Sequence, residues 1–250
     1  MPVKAPRAMA KERLDVLLVQ RGLCPSREKA QRLIMAGEVF SGGTRMDKAS
    51  QTLSDDAPLE VRAAERYVGR GGLKLEGALA HFALDPAGLT CLDVGASTGG
   101  FTDCLLQQGA VKVYALDVGH GQLDWKIRRD PRVVVMEHCN ARHLQPGDLP
   151  EKVQLVVADV SFISLTLVLP PAAALLTDGG MIVALIKPQF ELSRAEVGRG
   201  GVVRDDAARQ KAVDKIRDFA LRLGWTWGGV VDSPVAGADG NRELLCLLKP

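Results

Sequence analysis

The sequence contains no C-x-x-C pair, no apolar run of membrane-spanning length, and no apolar segment behind the basic residues of its first ten positions. Its five cysteines are scattered and mostly lie in apolar runs, which indicates reduced core thiols rather than a disulfide framework. A membrane span needs about 18 apolar residues, and a secretory signal needs an apolar segment of its own. We therefore expect a cytoplasmic protein without a membrane partner or a bound metal.

The composition is that of an ordinary globular protein. Hydrophobic residues make up 46% of the 250 residues and charged residues 25%, which excludes the disordered and fibrous classes. The length allows one large domain, or one medium domain and one small domain. The formal net charge is only +2, so any case for an anionic partner depends on where the charges lie.

The most informative stretch is a glycine-rich turn between an apolar run and a predicted helix. The apolar run at 91–94 leads into Gly95-Ala96-Ser97-Thr98-Gly99-Gly100-Phe101, and a helix is predicted over 102–108. The spacing approaches the dinucleotide fingerprint G-x-G-x-x-G, but Ser97 replaces the middle glycine, which lets backbone approach a pyrophosphate. A cofactor without phosphates fits this turn better.

A second apolar run, over 111–116, ends in Asp117, about 20 residues downstream, where such folds place a carboxylate on a ribose diol. S-adenosylmethionine has the ribose and the adenine and lacks the pyrophosphate, so we predict that it is the cofactor. A tight turn that binds no ligand is the alternative. The predicted cofactor-binding residues are Asp93, Gly95, Ala96, Ser97, Gly99, Gly100, Phe101, Asp117, Val118, Asn140 and Asp159.

Residues 11–62 are predicted to form a compact unit. Leucines at helical spacing predict two short helices, with Gly22 ending the first and Ser26 capping the second, and short strands follow. Between Met1 and Met35 there are eight basic residues and three acidic ones, a balance of +5. Such a concentration is typical of a phosphate-binding surface, although solvated outer faces of helices explain it equally well.

The residues that carry a resemblance in this region are Arg13-Leu14-Asp15, Gly22, Ser26-Arg27, Leu33-Ile34 and Lys48-Ala49-Ser50. They resemble the S4 RNA-binding module over most of 11–62, which implies an RNA partner. The predicted RNA-binding residues, on this unit and on basic loops of the larger domain, are Arg13, Arg27, Lys29, Arg32, Arg66, Arg70 and Arg199.

Residues 63–66 are predicted to link this small α+β unit to a larger domain over 67–250. There, apolar strands at 91–94, 111–117, 133–136, 153–159 and 180–187 alternate with helices at 121–128, 165–176 and 205–223. The alternation predicts a doubly wound, Rossmann-like parallel α/β sheet. A terminal β-hairpin over 225–248 is typical of S-adenosylmethionine-dependent methyltransferases rather than of dehydrogenases. An arginine-rich loop over 191–204 is predicted to be mobile and to lie beside the site.

Two lysines and two acids occupy positions that packing explains poorly. Lys74 opens the first helix of the larger domain, while Asp159 and Lys187 each end a strand. Ligands bind at the carboxyl ends of parallel strands, so these two ends are expected beside the turn at Gly95. Glu243 starts the last strand, and an antiparallel direction of that strand brings it to the same edge.

Such a group suits methyl transfer to a ribose hydroxyl. A 2′-hydroxyl is a weak nucleophile, so its attack needs alignment and removal of its proton. A lysine titrates near ~10.4 in isolation, and a second ammonium and partial desolvation lower its pKa while flanking carboxylates orient it. Taken singly, each of the four residues is more often part of a surface ion pair.

The larger domain carries the motifs Gly-Gly-Leu-Lys-Leu, Leu-Asp-Val-Gly-Ala-Ser-Thr-Gly-Gly-Phe-Thr, Asp-Val-Gly-His-Gly-Gln-Leu, Ala-Asp-Val-Ser-Phe-Ile-Ser and Lys-Pro-Gln-Phe-Glu. With the S4-like region, they make nearly the whole chain resemble the TlyA family of ribosomal RNA 2′-O-methyltransferases, sometimes labelled haemolysins. The resemblance implies a catalytic domain similar to FtsJ-type enzymes and cytidine 2′-O-methylation of ribosomal RNA or ribosomal subunits. The implied Lys-Asp-Lys-Glu tetrad is Lys74, Asp159, Lys187 and Glu243, with Lys187 as the proton acceptor.

Three alternatives are open. An RNA base methyltransferase that acts on an amino group usually carries Asn/Asp-Pro-Pro-Tyr after its fourth strand, where this sequence has Asp159-Val160-Ser161-Phe162. A haemolysin-like membrane-active protein needs an amphipathic or long alternating stretch, and the sequence shows neither. A non-catalytic RNA-binding protein does not need the intact tetrad. The sequence leaves open the modified nucleotide, the ribosomal subunit and self-association.

Overall fold

A computed structural model of the chain describes residues 11–61, 66–237 and 240–250. Its residues separate into two compact units, Met1–Arg66 and Tyr67–Pro250. Residues 63–65 of the predicted linker lie outside the described residues.

The first unit combines two helices with short strands. Its elements are β1 (Lys11–Arg13), α1 (Leu14–Gln20), α2 (Arg27–Met35), β2 (Val39–Ser41), β3 (Thr44–Arg45), β4 (Thr52–Ser54) and β5 (Leu59–Val61). Strand β1 pairs with β4, and β2 pairs with β3 and β5, all antiparallel. The side chain of Ser26 caps α2 by accepting a hydrogen bond from the backbone N–H of Lys29 at 3.2 Å. The two predicted helices and the short strands are confirmed.

Apolar faces of both helices form the core of this unit. Leu14 and Leu18 of α1 pack against Ala30 and Ile34 of α2, and Val39 of β2 completes the cluster. All five are buried, as their helical and strand spacing predicts. The core is small, so the unit offers most of its polar side chains to solvent.

The second unit contains α3 (Gly71–His81), β6 (Thr90–Val94), α4 (Gly100–Gln107), β7 (Lys112–Leu116), α5 (Trp125–Arg128), β8 (Val133–Met136), β9 (Val153–Ala158), α6 (Leu169–Ala173), β10 (Leu176–Ile186), α7 (Pro188–Glu191), α8 (Asp206–Arg222), β11 (Thr226–Asp232) and β12 (Leu244–Lys249). Short 3₁₀ turns lie at Ala141–His143, Leu165–Leu167 and Arg199–Gly201.

Seven strands of this unit form one sheet in the order β11-β12-β10-β9-β6-β7-β8. Strands β10, β9, β6, β7 and β8 run parallel, and β12 runs antiparallel to both β10 and β11. Two hydrophobic clusters, one including Leu92 and Tyr114 and the other Cys91 and Val113, draw on alternate residues of the same strands. Successive side chains of a strand point to opposite faces, so both faces of the sheet are covered. The predicted doubly wound sheet with a terminal hairpin is confirmed.

Two predicted helices are shorter in the structure. The helix predicted over 121–128 begins only at Trp125, because Asp124 caps it by accepting a hydrogen bond from the N–H of Lys126 at 2.8 Å. The helix predicted over 165–176 is divided into a 3₁₀ turn and α6, which starts beside Pro170. Proline has no N–H to continue a helix but fits its first turn. Strand β10 then starts at Leu176, earlier than predicted.

Candidate active site

The glycine-rich turn brings the ends of β6 and β9 together. Gly95 adopts a left-handed backbone with φ +86°, and a Cβ there would lie 2.4 Å from the backbone oxygen of Asp159. The N–H of Asp159 donates to the oxygen of Val94 at 2.9 Å, which fixes this approach. Only glycine accommodates both the backbone angle and the contact. Two adjoining cavities open on either side of this junction.

One cavity, of about 370 Å³, combines apolar walls with a few polar groups and is called the nucleoside-type cavity below. Leu116, Val118, Ile163 and Val168 give it apolar walls, and polar groups come from Asp117 and others. The Asp117 carboxylate accepts the backbone N–H of Ser97 at 2.8 Å and that of Gly119 at 2.8 Å. These bonds fix the carboxylate at the mouth of the turn.

The predicted cofactor residues divide into three groups. Gly95, Ser97, Asp117, Val118, Asn140 and Asp159 line the nucleoside-type cavity. Ala96, Gly100 and Phe101 line the second cavity, to which Gly95, Ser97 and Asp159 also contribute. Asp93 and Gly99 line neither of these two cavities.

Asp93 is fully buried behind the turn. Its Oδ2 accepts a hydrogen bond from Thr102 Oγ1 at 2.6 Å, and this bond ties β6 to the first turn of α4. Burial raises the pKa of Asp93 to about 7, the hydrogen bond from Thr102 opposes the rise, and the nearby charge of Asp159 adds to it. In the structure its contact is with the helix rather than with the cavities.

The second cavity, of about 320 Å³, contains the four candidate catalytic residues. Lys74 Nζ lies 2.5 Å from Glu243 Oε2, and Lys187 Nζ lies 2.6 Å from Asp159 Oδ1. The side chains of Lys74 and Glu243 are 10% and 3% exposed, whereas those of Lys187 and Asp159 are 11% and 21% exposed. Two lysine–carboxylate pairs therefore face one cavity, largely shielded from water.

The sheet topology explains why these four residues meet. Asp159 and Lys187 directly follow the parallel strands β9 and β10. Strand β12 is antiparallel to β10 with Leu244 opposite Ile186, which places Glu243 across from Lys187. Lys74 is buried on α3, and its side chain reaches Glu243.

The two pairs cancel in formal charge, and Arg70 adds a positive charge to the cavity wall. Each lysine is held by a carboxylate, so its amine is fixed in position rather than free to move. A cavity with this arrangement can orient a hydroxyl group, favour negative charge on its oxygen and accept its proton.

Sequence reasoning did not identify Ser161 as a site residue. Its Oγ accepts a hydrogen bond from Lys187 Nζ at 2.8 Å, and its side chain lines both cavities. The only indication in the sequence is its position two residues after Asp159, at the end of a strand. Arg70, predicted to bind RNA, lies on the wall of the tetrad cavity.

In the first unit, two predicted RNA-binding residues share one acid. Arg13 Nε and Arg27 Nη2 contact the buried carboxylate of Asp15 at 2.9 Å and 3.0 Å, and Gln31 donates a further hydrogen bond to it. The hydrogen bond from Arg13 is the main reason why the pKa of Asp15 lies well below its usual range. Both guanidinium groups keep an exposed face.

The structure describes the exposure of three other predicted RNA-binding residues, and only the backbone of a fourth. Lys29 and Arg32 are exposed on α2, and Arg66 is exposed at the end of the first unit. The backbone of Arg199 lies in a 3₁₀ turn, but its side chain is not among those that the structure describes.

Within the described ranges, no group of three or more His, Cys, Asp or Glu side chains is arranged to hold a metal ion. The same residues include no helix whose length and hydropathy would let it cross a membrane.

Comparisons with known families and proteins agree with this geometry. The FtsJ-like methyltransferase family matches residues 67–249, and the S4 domain matches residues 12–57. The 16S/23S rRNA (cytidine-2′-O)-methyltransferase TlyA of Mycobacterium tuberculosis is 48% identical over 239 residues, covering 95% of this chain and 89% of that protein.

Solved structures extend the agreement to three dimensions. A candidate hemolysin from Streptococcus thermophilus superposes with a TM-score of 0.74 at 46% identity, covering 97% of this chain and 89% of that one. An S-adenosylmethionine-dependent methyltransferase from Mesorhizobium loti, only 17% identical, shares the fold with a TM-score of 0.53 over 73% of this chain and all of its own. The chain belongs to the TlyA family, in which an S4 domain precedes an FtsJ-like methyltransferase domain.

Proposed function

We propose that this protein transfers a methyl group from S-adenosylmethionine to the 2′-hydroxyl of a cytidine in ribosomal RNA. The observation that carries the proposal is the pair of lysine–carboxylate contacts facing one cavity beside a nucleoside-type cavity. The relative from Mycobacterium tuberculosis, whose name states this activity, covers 95% of the chain. Residues 67–250 supply the reaction, and residues 11–62 supply RNA binding.

The nucleoside-type cavity suits S-adenosylmethionine. Gly95 lines both cavities, and its lack of a side chain leaves the backbone of the turn accessible to a ligand. Asp117 would hold the ribose hydroxyls, and Asn140 with the apolar walls would hold the adenine. Bound there, S-adenosylmethionine supplies an electrophilic methyl group on its sulfonium sulfur.

The tetrad prepares the hydroxyl that reacts. Lys187, held by Asp159, lies where it would take the proton of the 2′-hydroxyl. Lys74, held by Glu243, places a second positive charge at the same cavity, where it favours the developing negative charge on the ribose oxygen. Because both lysines are largely shielded from water, their effect on a nearby oxygen is stronger than on the surface.

The exposed cations of the first unit provide the contact with RNA. Arg13, directly before α1, and Arg27, Lys29 and Arg32 on α2 present positive charge, as binding to a phosphate backbone requires. Ribosomal RNA, free or within a ribosomal subunit, is the partner that we propose, and such a substrate is met in the cytoplasm.

The test is methyl transfer to ribosomal subunits. Tritiated S-adenosylmethionine would be incubated with the protein and subunits from a strain that lacks the modification, and the labelled RNA digested to nucleosides. We expect label in 2′-O-methylcytidine and its loss in Lys187→Ala. Lys112→Ala is the matched control, because Lys112 pairs with Glu151 on the exposed surface. Label in a methylated base, or no label in any subunit, would contradict the proposal.

A further inference from the structure

Ser161 stands at the wall that the two cavities share. It lines both of them, as do Gly95, Ser97 and Asp159. Among these shared residues, only Ser161 and Asp159 contact the amine of Lys187, at 2.8 Å and 2.6 Å. The serine itself is exposed to the cavities, whereas the lysine is nearly enclosed. The hydroxyl of Ser161 therefore contacts the amine of Lys187 at the boundary of the two cavities.

The hydrogen bond to Ser161 and the charge of Asp159 together fix the direction of the lone pair on the Lys187 nitrogen. A lysine nitrogen carries its chain carbon and three further tetrahedral positions. In the neutral amine two of these hold N–H bonds and one holds the lone pair. Ser161 accepts one N–H, and the negatively charged Oδ1 of Asp159, at 2.6 Å, disfavours a lone pair on its own side, so the lone pair occupies the remaining position. With Asp159 alone, the amine turns about its last bond and the lone pair has no fixed direction.

The segment that carries Ser161 is held at both ends. Asp159 N–H donates to Val94, at the end of β6. Three residues beyond Ser161, Ser164 Oγ donates to Glu191 Oε2 at 2.5 Å, and the N–H of Leu165 donates to Glu191 Oε1 at 2.7 Å. Glu191 belongs to α7, whose N-cap is Lys187. The buried carboxylate thus joins the segment of the serine to the turn of the lysine.

The backbone between these fixed points is strained. Phe162, next to Ser161, has φ +63°, a left-handed conformation that is uncommon for an aromatic residue. Such a conformation is energetically unfavourable and persists where surrounding contacts determine it. Here it accompanies a bend that leaves the Ser161 hydroxyl within hydrogen-bond distance of Lys187.

We infer that Ser161 is a positioning residue that aims the lone pair of Lys187 at the 2′-hydroxyl of the substrate. The inference rests on the proposed function. In the step, the ribose oxygen bonds to the methyl carbon, the carbon–sulfur bond breaks with its electrons on sulfur, and the hydroxyl proton moves to Nζ. Lys187 ends as an ammonium with all three protons, one of them still donated to Ser161, and its positive charge lies beside Asp159.

The test compares Ser161→Ala, Ser161→Thr and wild type in the full chain. Single-turnover methyl transfer to unmodified ribosomal subunits would be measured at saturating S-adenosylmethionine, with Kd for S-adenosylmethionine and for the subunits determined separately. We expect Ser161→Ala to lower the rate constant about 10- to 100-fold with both Kd values within about twofold of wild type. Ser161→Thr keeps the hydroxyl and is expected to restore most of the rate. Ser193→Ala, an exposed serine that lines neither cavity, is the matched control.

A double-mutant comparison separates positioning from a general structural effect. If Ser161 acts through Lys187, adding Ser161→Ala to Lys187→Ala lowers the rate no further. Full activity of Ser161→Ala, a failure of Ser161→Thr to restore the rate, additive losses in the double variant, or a loss confined to the Kd for S-adenosylmethionine would each overturn the inference. Those results leave the proposed function intact as long as the wild type forms 2′-O-methylcytidine. If the wild type does not form it, the proposed function itself fails.

Discussion

The Asp15 cluster of the first unit and the Lys74–Glu243 pair of the second bury their charged groups in different ways. In the first unit only the acid is enclosed: Asp15 has no exposed side-chain surface, whereas Arg13 and Arg27 keep 41% and 56% of theirs. In the second unit both members of the pair formed by Lys74 and Glu243 are enclosed. The first arrangement holds cations in place while leaving them accessible to an anionic partner. The second withdraws a cation from water and fixes it at a cavity.

The largest expected effect comes from breaking the enclosed pair. Glu243→Gln leaves the ammonium of Lys74 buried without a counter-charge, which is expected to cost about 3–5 kcal/mol in the free energy of unfolding and most of the methyl transfer. Denaturant unfolding and single-turnover transfer would measure the two losses. Glu151→Gln, in a surface pair with Lys112, is the control and is expected to cost under about 1 kcal/mol. Equal losses of unfolding free energy in Glu243→Gln and Glu151→Gln would contradict the distinction between the enclosed pair and the surface pair.

The effect of burying a single acid in the second unit can be measured at Asp93. Its pKa is raised to about 7, so between the unfolded value near ~4 and pH 7 the folded state binds a proton that the unfolded state has lost. The stabilisation of the folded state by this bound proton is therefore present at low pH and is lost as the pH rises through 7. The free energy of unfolding changes between pH 5 and pH 8, and we expect this change to be about 2–4 kcal/mol smaller in Asp93→Asn than in wild type. An unchanged dependence would show that Asp93 does not titrate there.

The contribution of Asp15 to stability changes with pH in the opposite direction. Its pKa is lowered, so its contribution is present above the unfolded value near ~3.9 and is lost as the pH falls further towards the folded value. Asp15→Asn is expected to weaken the first unit by about 1–3 kcal/mol at neutral pH, because Arg13 and Arg27 lose their shared acceptor. Native-state hydrogen exchange of the α1 and α2 amides would detect the loss. Asp47→Asn, in an exposed pair with Arg45, should leave that protection unchanged.

The smallest effects are expected on the exposed face of α2. Lys29→Ala and Arg32→Ala should each weaken RNA binding about three- to tenfold at moderate salt and reduce the slope of log K against log salt concentration by about 1. Binding measured at several salt concentrations provides both values. Arg217→Ala, on α8 of the second unit, is the control for removing one exposed arginine. If it weakens binding as much, the effect comes from net charge rather than from this surface.

Pattern and topology predicted the edge of the sheet where the site lies. Asp159 and Lys187 follow buried parallel strands, and the carboxyl ends of parallel strands lie at the same edge of the sheet. What the sequence did not reveal are contacts that depend on how a side chain turns. Lys74 belongs to the site because its side chain contacts Glu243. Ser161 contacts Lys187 next to a local bend at Phe162.

Asp93 shows a further limit. Its place before the glycine turn predicted a ligand contact, yet its nearest partner is the hydroxyl of Thr102, one helical turn into α4. Helix boundaries differed for a similar reason, because capping by Asp124 and the prolines at the start of α6 decide them locally. Periodicity locates an element, while single hydrogen bonds determine where it begins.

The contact between Lys74 and Glu243 joins residues 169 positions apart in the chain. During synthesis, α3 leaves the ribosome long before β12 exists, so Lys74 is without its counter-charge until residue 243 and the strand behind it have emerged. A nascent chain interrupted before that point lacks both the acid and the strand that pairs with β10 and β11. The enclosed pair of Lys74 and Glu243 therefore depends on β12, the last strand of the sheet to be translated.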